Sequence, residues 1–145
     1  MKLVVDASVA LKWFLADRAD EPGADAATAI LRDFVAGRHE LLAPPHFMAE
    51  MCAVLSRESP ATMGSDLRDL AELAIPTRTD LVLYAYGMQL SSELGHHLFD
   101  TLYHAVALLE GPEVTLVTAD AVYGRKARHL GQIVPLAAWQ GCPPG

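Results

Sequence analysis

Four of the chain's 18 acidic residues stand in apolar surroundings, where an ionised carboxylate is costly unless something partners it. Asp6 ends the apolar run Leu3-Val4-Val5, and Asp120 follows Val114-Thr115-Leu116-Val117-Thr118 in a similar way. Asp100 interrupts Leu98-Phe99-Asp100-Thr101-Leu102-Tyr103 near the start of an apolar helical pattern. Glu50 lies three residues after Phe47 and four before Val54, beside the apolar stripe of its own helix. Each has a plain structural alternative. Asp6 and Asp120 can cap helices, Asp100 can answer a helix dipole, and Glu50 can reach out from the rim of a buried face. One shared acidic pocket accounts for all four with a single cause. Carboxylates gathered in this way repel and raise one another's pKa, and a divalent cation relieves them. With no His or Cys pair close by, oxygen ligands favour Mg²⁺, or Mn²⁺ in its place, over zinc. The chemistry that most often uses such a pocket is phosphoryl transfer by a metal-activated water.

A common pocket needs elements that bring these positions to one edge. Leu3-Val4-Val5 reads as a strand buried on both faces, and Ser8 is placed to cap the helical run Val9 to Leu15. The acidic stretch from Asp17 to Asp25 reads as an exposed loop before a helix over about Ala26 to Ala36, closed by Gly37. Leu41-Leu42-Ala43 is a second strand stopped by Pro44-Pro45. A helix over about His46 to Glu58 then aligns Phe47, Met51 and Val54. Another helix is expected over about Ser65 to Leu73, followed by a short edge strand at Ala74-Ile75-Pro76. Helices follow over about Thr79 to Leu94, ending at Gly95, and from near His97 to Glu110. Val114 to Thr118 is the clearest β-branched strand. Asp120 opens a short helix through Leu130, Gln132 to Pro135 is a last strand, and Trp139 packs the end of the chain. Strands alternating with helices, with no repeat and no linker, predict one α/β domain on a mostly parallel sheet. Active sites in such sheets lie beyond the carboxyl ends of the strands. Asp6 and Asp120 already stand there, and short connections bring Glu50 and Asp100 to the same edge.

Composition agrees with one domain. The chain has 145 residues, 52% of them hydrophobic and 20% charged, which excludes intrinsic disorder and low-complexity sequence. Such a length buries roughly 68–70% of the surface that the unfolded chain exposes. The net charge of −7 excludes a basic clamp that binds nucleic acid by bulk attraction, though not a metal-centred enzyme acting on it. Cys52 and Cys142 are too few for a disulfide framework or a zinc site, and Cys52 reads as a small core residue. No apolar stretch is long enough for a membrane span and no cleavage signature follows the N-terminus, so a cytoplasmic protein is expected.

Taken together, Val4-Val5-Asp6-Ala7-Ser8, Pro44-Pro45 through Glu50, Phe99-Asp100-Thr101-Leu102-Tyr103-His104-Ala105 and Leu116-Val117-Thr118-Ala119-Asp120 resemble the PIN-domain ribonucleases. More narrowly, they resemble the VapC toxins of bacterial toxin–antitoxin pairs. The likeness covers about residues 1 to 136 in order and spacing, so residues 1–139 are read as a PIN domain and 140–145 as a tail. It implies a three-layer α/β/α sandwich, Mg²⁺-dependent endoribonuclease activity on RNA, and a homodimer neutralised by a small antitoxin. Carried over by position, Asp6 and Asp100 are the principal metal ligands, and Glu50 and Asp120 complete the pocket. Ser8 and Thr118 are hydroxyls that orient carboxylates or water. Many relatives carry a further acid shortly after the position of Asp120. Here Ala121, Val122 and Tyr123 follow, which favours one tightly held ion over two.

RNA contact must come from local basic residues. Arg125-Lys126-x-Arg128 is the one dense cluster and Lys12 stands near Asp6, although a cationic last turn also answers a helix dipole. Adjacent His96 and His97 diverge by ~100° on a helix and read as surface or capping groups, and His104 as a helix-flank residue without a partner. Met48, Met51 and Met88 read as core or interface fillers. A haloacid-dehalogenase-like phosphatase needs a D-x-D at the first strand, which Asp6-Ala7-Ser8 lacks. A response-regulator receiver needs an acidic pair there and an Asp after the third strand. The remaining alternative is a catalytically silent PIN-like module that binds RNA or protein, against which the retention of all four acids speaks.

Overall fold

The computed structural model describes residues 1–18 and 20–141. Its strands are β1 (Lys2–Val5), β2 (Glu40–Leu42), β3 (Thr115–Thr118) and β4 (Ile133–Pro135), which form one sheet in the order β2-β1-β3-β4. All three pairings are parallel, with Val4 between Leu42 and Leu116 and Val117 beside Val134. Parallel neighbours need crossover connections, and the helices supply them. Between β1 and β2 run α1 (Ala7–Ala10), α2 (Lys12–Leu15) and α3 (Ala24–Val35). Between β2 and β3 run α4 (Phe47–Glu58), α5 (Met63–Glu72), α6 (Leu81–Leu94) and α7 (Leu98–Glu110). A short α8 (Ala121–Ala127) and a 3₁₀ turn (Arg128–Leu130) lead into β4. The fold is thus α/β, with a four-stranded all-parallel sheet flanked by helices.

The central strands carry the core. Leu3, Val4, Leu116 and Val117 are wholly buried, as strands covered on both faces must be. Seven consecutive residues of α7, Thr101 to Ala107, are buried as well, and α7 packs on both β1 and β3. Its apolar character on every side follows from that central position. Helix α6 lies along α7 so closely that a Cβ added at Gly87 would stand 2.6 Å from Leu102 Cδ2. The Thr101 hydroxyl donates to the Gly87 carbonyl across this contact at 2.9 Å.

Several local expectations are corrected. Ser8 does not cap the first helix; Asp6 does, accepting from the Val9 amide at 3.3 Å. The buried stripe of α4 runs through Phe47, Met51 and Leu55, with Val54 only half-buried, because 3.6-residue periodicity allows i+8 as well as i+7. Ala74-Ile75-Pro76 is no strand: a single bridge joins Ala43 and Thr77, and the Ala43 amide donates to the Pro76 carbonyl. Cys52 is half-buried rather than core, and Met88 is largely exposed whereas Met51 is fully buried. His104 is not a flank residue without partners. It is completely buried, with Nδ1 3.0 Å from the Tyr123 hydroxyl and Nε2 2.8 Å from the Gly131 carbonyl. Cys142 lies outside the described residues. Among those described, no helix is long and apolar enough to cross a membrane.

The order of the strands places the site. From β1 the chain moves to one side to make β2, and later to the other side to make β3. The reversal opens a crevice at the carboxyl ends of β1 and β3, the place where open parallel sheets take ligands.

Candidate metal centre

Asp6 leaves the end of β1 at the floor of this crevice. The Ser8 hydroxyl donates to its Oδ1 and the Thr118 hydroxyl to its Oδ2. Each hydroxyl is itself held by a backbone amide. Ser8 Oγ accepts from Ala119 N and Thr118 Oγ1 from Asp120 N, both at 3.0 Å. The ends of β1 and β3 are therefore laced together through one carboxylate. Burial pushes the Asp6 carboxyl up to about 6 despite these hydrogen bonds, and the charge of Asp100 adds to the rise.

Asp100 occupies the first turn of α7, facing the crevice. Its Oδ2 lies 2.7 Å from Nε2 of His96, four residues earlier in the connection that precedes α7. Asp120 caps α8 by accepting from the Tyr123 amide at 3.0 Å. Ligand atoms of His96, Asp100 and Asp120 all lie within 4.8 Å of one another, a spacing that could hold a metal ion. Glu50, in the first turn of α4, takes a hydrogen bond from the Tyr103 hydroxyl on Oε1 at 3.1 Å. Burial raises its pKa, and Asp100 and then Asp6 raise it further. The four acids singled out in the sequence are thus neighbours, with Asp100 the one whose charge reaches both Asp6 and Glu50.

The donor set fits a hard cation. Among the described residues no Lys or Arg forms an ion pair with any of the four carboxylates; only imidazoles approach them, His46 at Glu50 and His96 at Asp100, and burial, with neighbouring carboxylates adding to it, raises Asp6 and Glu50. Caps alone do not explain this. A helix N-terminus satisfies one carboxylate at a time, and here two caps and two further acids meet in one crevice.

The basic residues separate in the structure. Lys12 is largely buried and pairs with Glu21 at 2.9 Å. Lys126 donates to the Gly95 carbonyl at 3.1 Å and sits 3.3 Å from His96 Nδ1. Arg125 and Arg128 have no ion-pair partner among the described residues. They line a cleft of about 610 Å³ together with Thr118, Asp120 and Lys12.

His96 corrects the expectation of a surface group, since its side chain is only 9% exposed and turned to Asp100. The signal was present as an i, i+4 relation between a His and an Asp, which the argument from adjacent histidines overlooked. Two aromatic groups also escaped notice. Tyr103 stands one turn beyond Asp100 and holds Glu50. Phe99 is 60% exposed at the rim, stacked on His46 with ring centroids 5.1 Å apart.

Comparison with known proteins agrees with this fold. The chain is similar to PAE2754 from Pyrobaculum aerophilum, with a TM-score of 0.65 and 19% identity over 94% of this chain and 90% of that one. It is also similar to VapC20 of Mycobacterium tuberculosis, a toxin that cleaves the sarcin–ricin loop. That likeness has a TM-score of 0.57 and 16% identity over 85% of this chain and 93% of the other. No curated protein sequence matches. The family model of the PIN domain matches residues 3–129, and this chain therefore belongs to the PIN-domain family.

Proposed function

We propose that this protein is a Mg²⁺-dependent endoribonuclease of the VapC kind, the toxin of a toxin–antitoxin pair, working as a homodimer that a small antitoxin neutralises. Mn²⁺ can replace Mg²⁺ in an all-oxygen set. The observation that carries the reading is that Asp100 and Asp120 bring ligand atoms within 4.8 Å of one another at the end of the sheet, with Asp6 and Glu50 near enough to feel the Asp100 charge and no Lys or Arg paired to any of the four among the described residues, in a PIN-domain fold. The likeness to a toxin that cleaves an RNA loop supports the same substrate class.

In this reading Asp6, Asp100 and Asp120 hold one ion and Glu50 borders it. Bound there, Mg²⁺ neutralises charge on the attacked phosphate and acidifies a water. The chain's own groups do the rest. Ser8 and Thr118 fix both oxygens of Asp6, so its orientation is set before any ligand arrives. Tyr103 holds Glu50 by Oε1, and Oε2, with His46 Nε2 3.7 Å away, is the oxygen that takes a proton from the attacking water. Arg125 and Arg128 meet backbone phosphates along the cleft beside Asp120. Phe99 offers an exposed ring on which an unpaired base stacks.

Cleavage of single-stranded or loop RNA with Mg²⁺ tests the proposal. A water nucleophile leaves a 5′-phosphate and a 3′-hydroxyl, activity disappears in EDTA, and Asp100→Asn is inactive. Cyclic-phosphate ends would mean that the 2′-hydroxyl attacks instead, and RNA binding without cleavage under any divalent ion would mean a silent binding module.

A further inference from the structure

Among the described residues, His96 is the imidazole whose ligand atom lies within 4.8 Å of those of both Asp100 and Asp120, so its role decides what kind of site this is. Two contacts fix that role. On one side its Nδ1 lies 3.3 Å from Lys126 Nζ, and the ammonium has only protons to give. On the other its Nε2 lies 2.7 Å from Asp100 Oδ2, and an ionised carboxylate has only lone pairs to give. Nδ1 must therefore accept and Nε2 must carry the proton. The opposite tautomer would set a proton against the ammonium and a lone pair against the carboxylate. A doubly protonated ring would still set a proton against the ammonium.

Three further contacts hold the ring in place. Lys126 is anchored by the Gly95 carbonyl at 3.1 Å. The Tyr123 ring lies against His96 at 4.9 Å, and Tyr123 is in turn held by buried His104. The imidazole is only 9% exposed.

We propose that His96 is a positioning residue, locked by Lys126 as the neutral Nε2–H tautomer, which orients Asp100 and does not ligate the ion. The inference rests on the nuclease reading for the ion, but not for the tautomer. Its lone pair on Nε2 is replaced by a proton, so His96 cannot coordinate without breaking its bond to Asp100. The ligand set is then oxygen alone, which is the set that suits Mg²⁺ and Mn²⁺ and offers zinc nothing soft. Lys126 acts through His96 and not on RNA, which separates it from its neighbours Arg125 and Arg128.

Two measurements test this. In metal-free protein, long-range ¹H–¹⁵N spectra of the imidazoles are expected to show His96 wholly as the Nε2–H tautomer. Lys126→Met, an exposed change that leaves the core untouched, is expected to turn it into a mixture. A wild-type His96 protonated on Nδ1, or a spectrum unmoved by Lys126→Met, overturns the proposal. Calorimetric Mn²⁺ titration then separates orienting from ligating. His96→Gln keeps an N–H for Asp100 and is expected to bind within about threefold of wild type, whereas His96→Leu loses about 10–100-fold. Equal affinity in wild type and His96→Leu overturns the proposal, as does direct ¹⁵N–Mn²⁺ coupling to His96. If the wild type takes up neither Mn²⁺ nor Mg²⁺, the nuclease reading fails instead, and the metal-free spectra still decide the tautomer.

Discussion

Asp6 carries an ionisation cost that its hydroxyl partners only partly relieve. Its ordinary value of 3.8 is raised to about 6 in the folded protein, so the native state binds the proton more tightly than the unfolded chain. Stability from this group is present below pH 4 and is lost as pH climbs to about 6, after which the loss is constant. Asp6→Asn removes the titration. In EDTA, the stability of Asp6→Asn relative to wild type should therefore rise between pH 4 and 6.5 by up to about 3 kcal/mol and then level off. Loss of the carboxylate's hydrogen bonds adds only a constant offset. Denaturant melts of both proteins across that range check it, and a difference that does not vary with pH would show that Asp6 is not ionised under strain. Asp6, Asp100 and Asp120 were legible in the sequence because their oddity is local: each is an acid set directly against an apolar run. His96 was not, because its meaning comes from a partner four residues on and a lysine thirty residues away. Lys12 stood near Asp6 in the chain, but a neighbour nine residues later in a loop takes its charge.

Helix α7 is the element on which the site depends, since it carries Asp100 and Tyr103 and spans β1 and β3. Its depth in the core requires α6 to approach without a side chain at Gly87. Gly87→Ala gains up to about 1 kcal/mol in helix propensity, whereas pressing a methyl against buried Leu102 costs about 1–3 kcal/mol. The net expectation is a loss of about 1 kcal/mol, read by urea unfolding. A more stable variant would show that the two helices can separate freely. The strands and long helices were readable from β-branched runs, glycine stops and apolar spacing. The failures lie at elements whose pairing is not local. Ile75 has the residue type of a strand, yet the hydrogen bonds there go to Ala43 in a single bridge. His104 is a polar residue in an apolar run, and only the folded chain brings Tyr123 and the Gly131 carbonyl to it.

At the scale of the whole molecule, a net charge of −7 repels RNA, and the cations available near the site are few. Of the four basic residues singled out for RNA, Lys12 and Lys126 are engaged by the protein, which leaves Arg125 and Arg128. Two phosphate contacts give a shallow salt dependence, with log K falling by about 1.4 per decade of salt for a single strand. Arg125→Ala should lower that slope by about 0.7, while Lys126→Met should leave it unchanged. Fluorescence anisotropy of a labelled RNA with inactive Asp100→Asn protein, over a range of KCl, measures both. A slope several times steeper would mean that a larger basic surface takes part.

The bond from Thr118 to Asp6 joins residues 112 positions apart, and the Ser8 bond to the Ala119 amide spans a similar stretch. Closure over so long a separation comes late in folding. During synthesis it cannot come at all until β3 has left the ribosome, because the partner of Asp6 is made 112 residues after it. A nascent or truncated chain lacking β3 and Asp120 holds only part of the pocket. In the nuclease reading proposed above, no pocket able to cut RNA exists until β3 has joined β1, so the acidic site and the finished sheet arrive together.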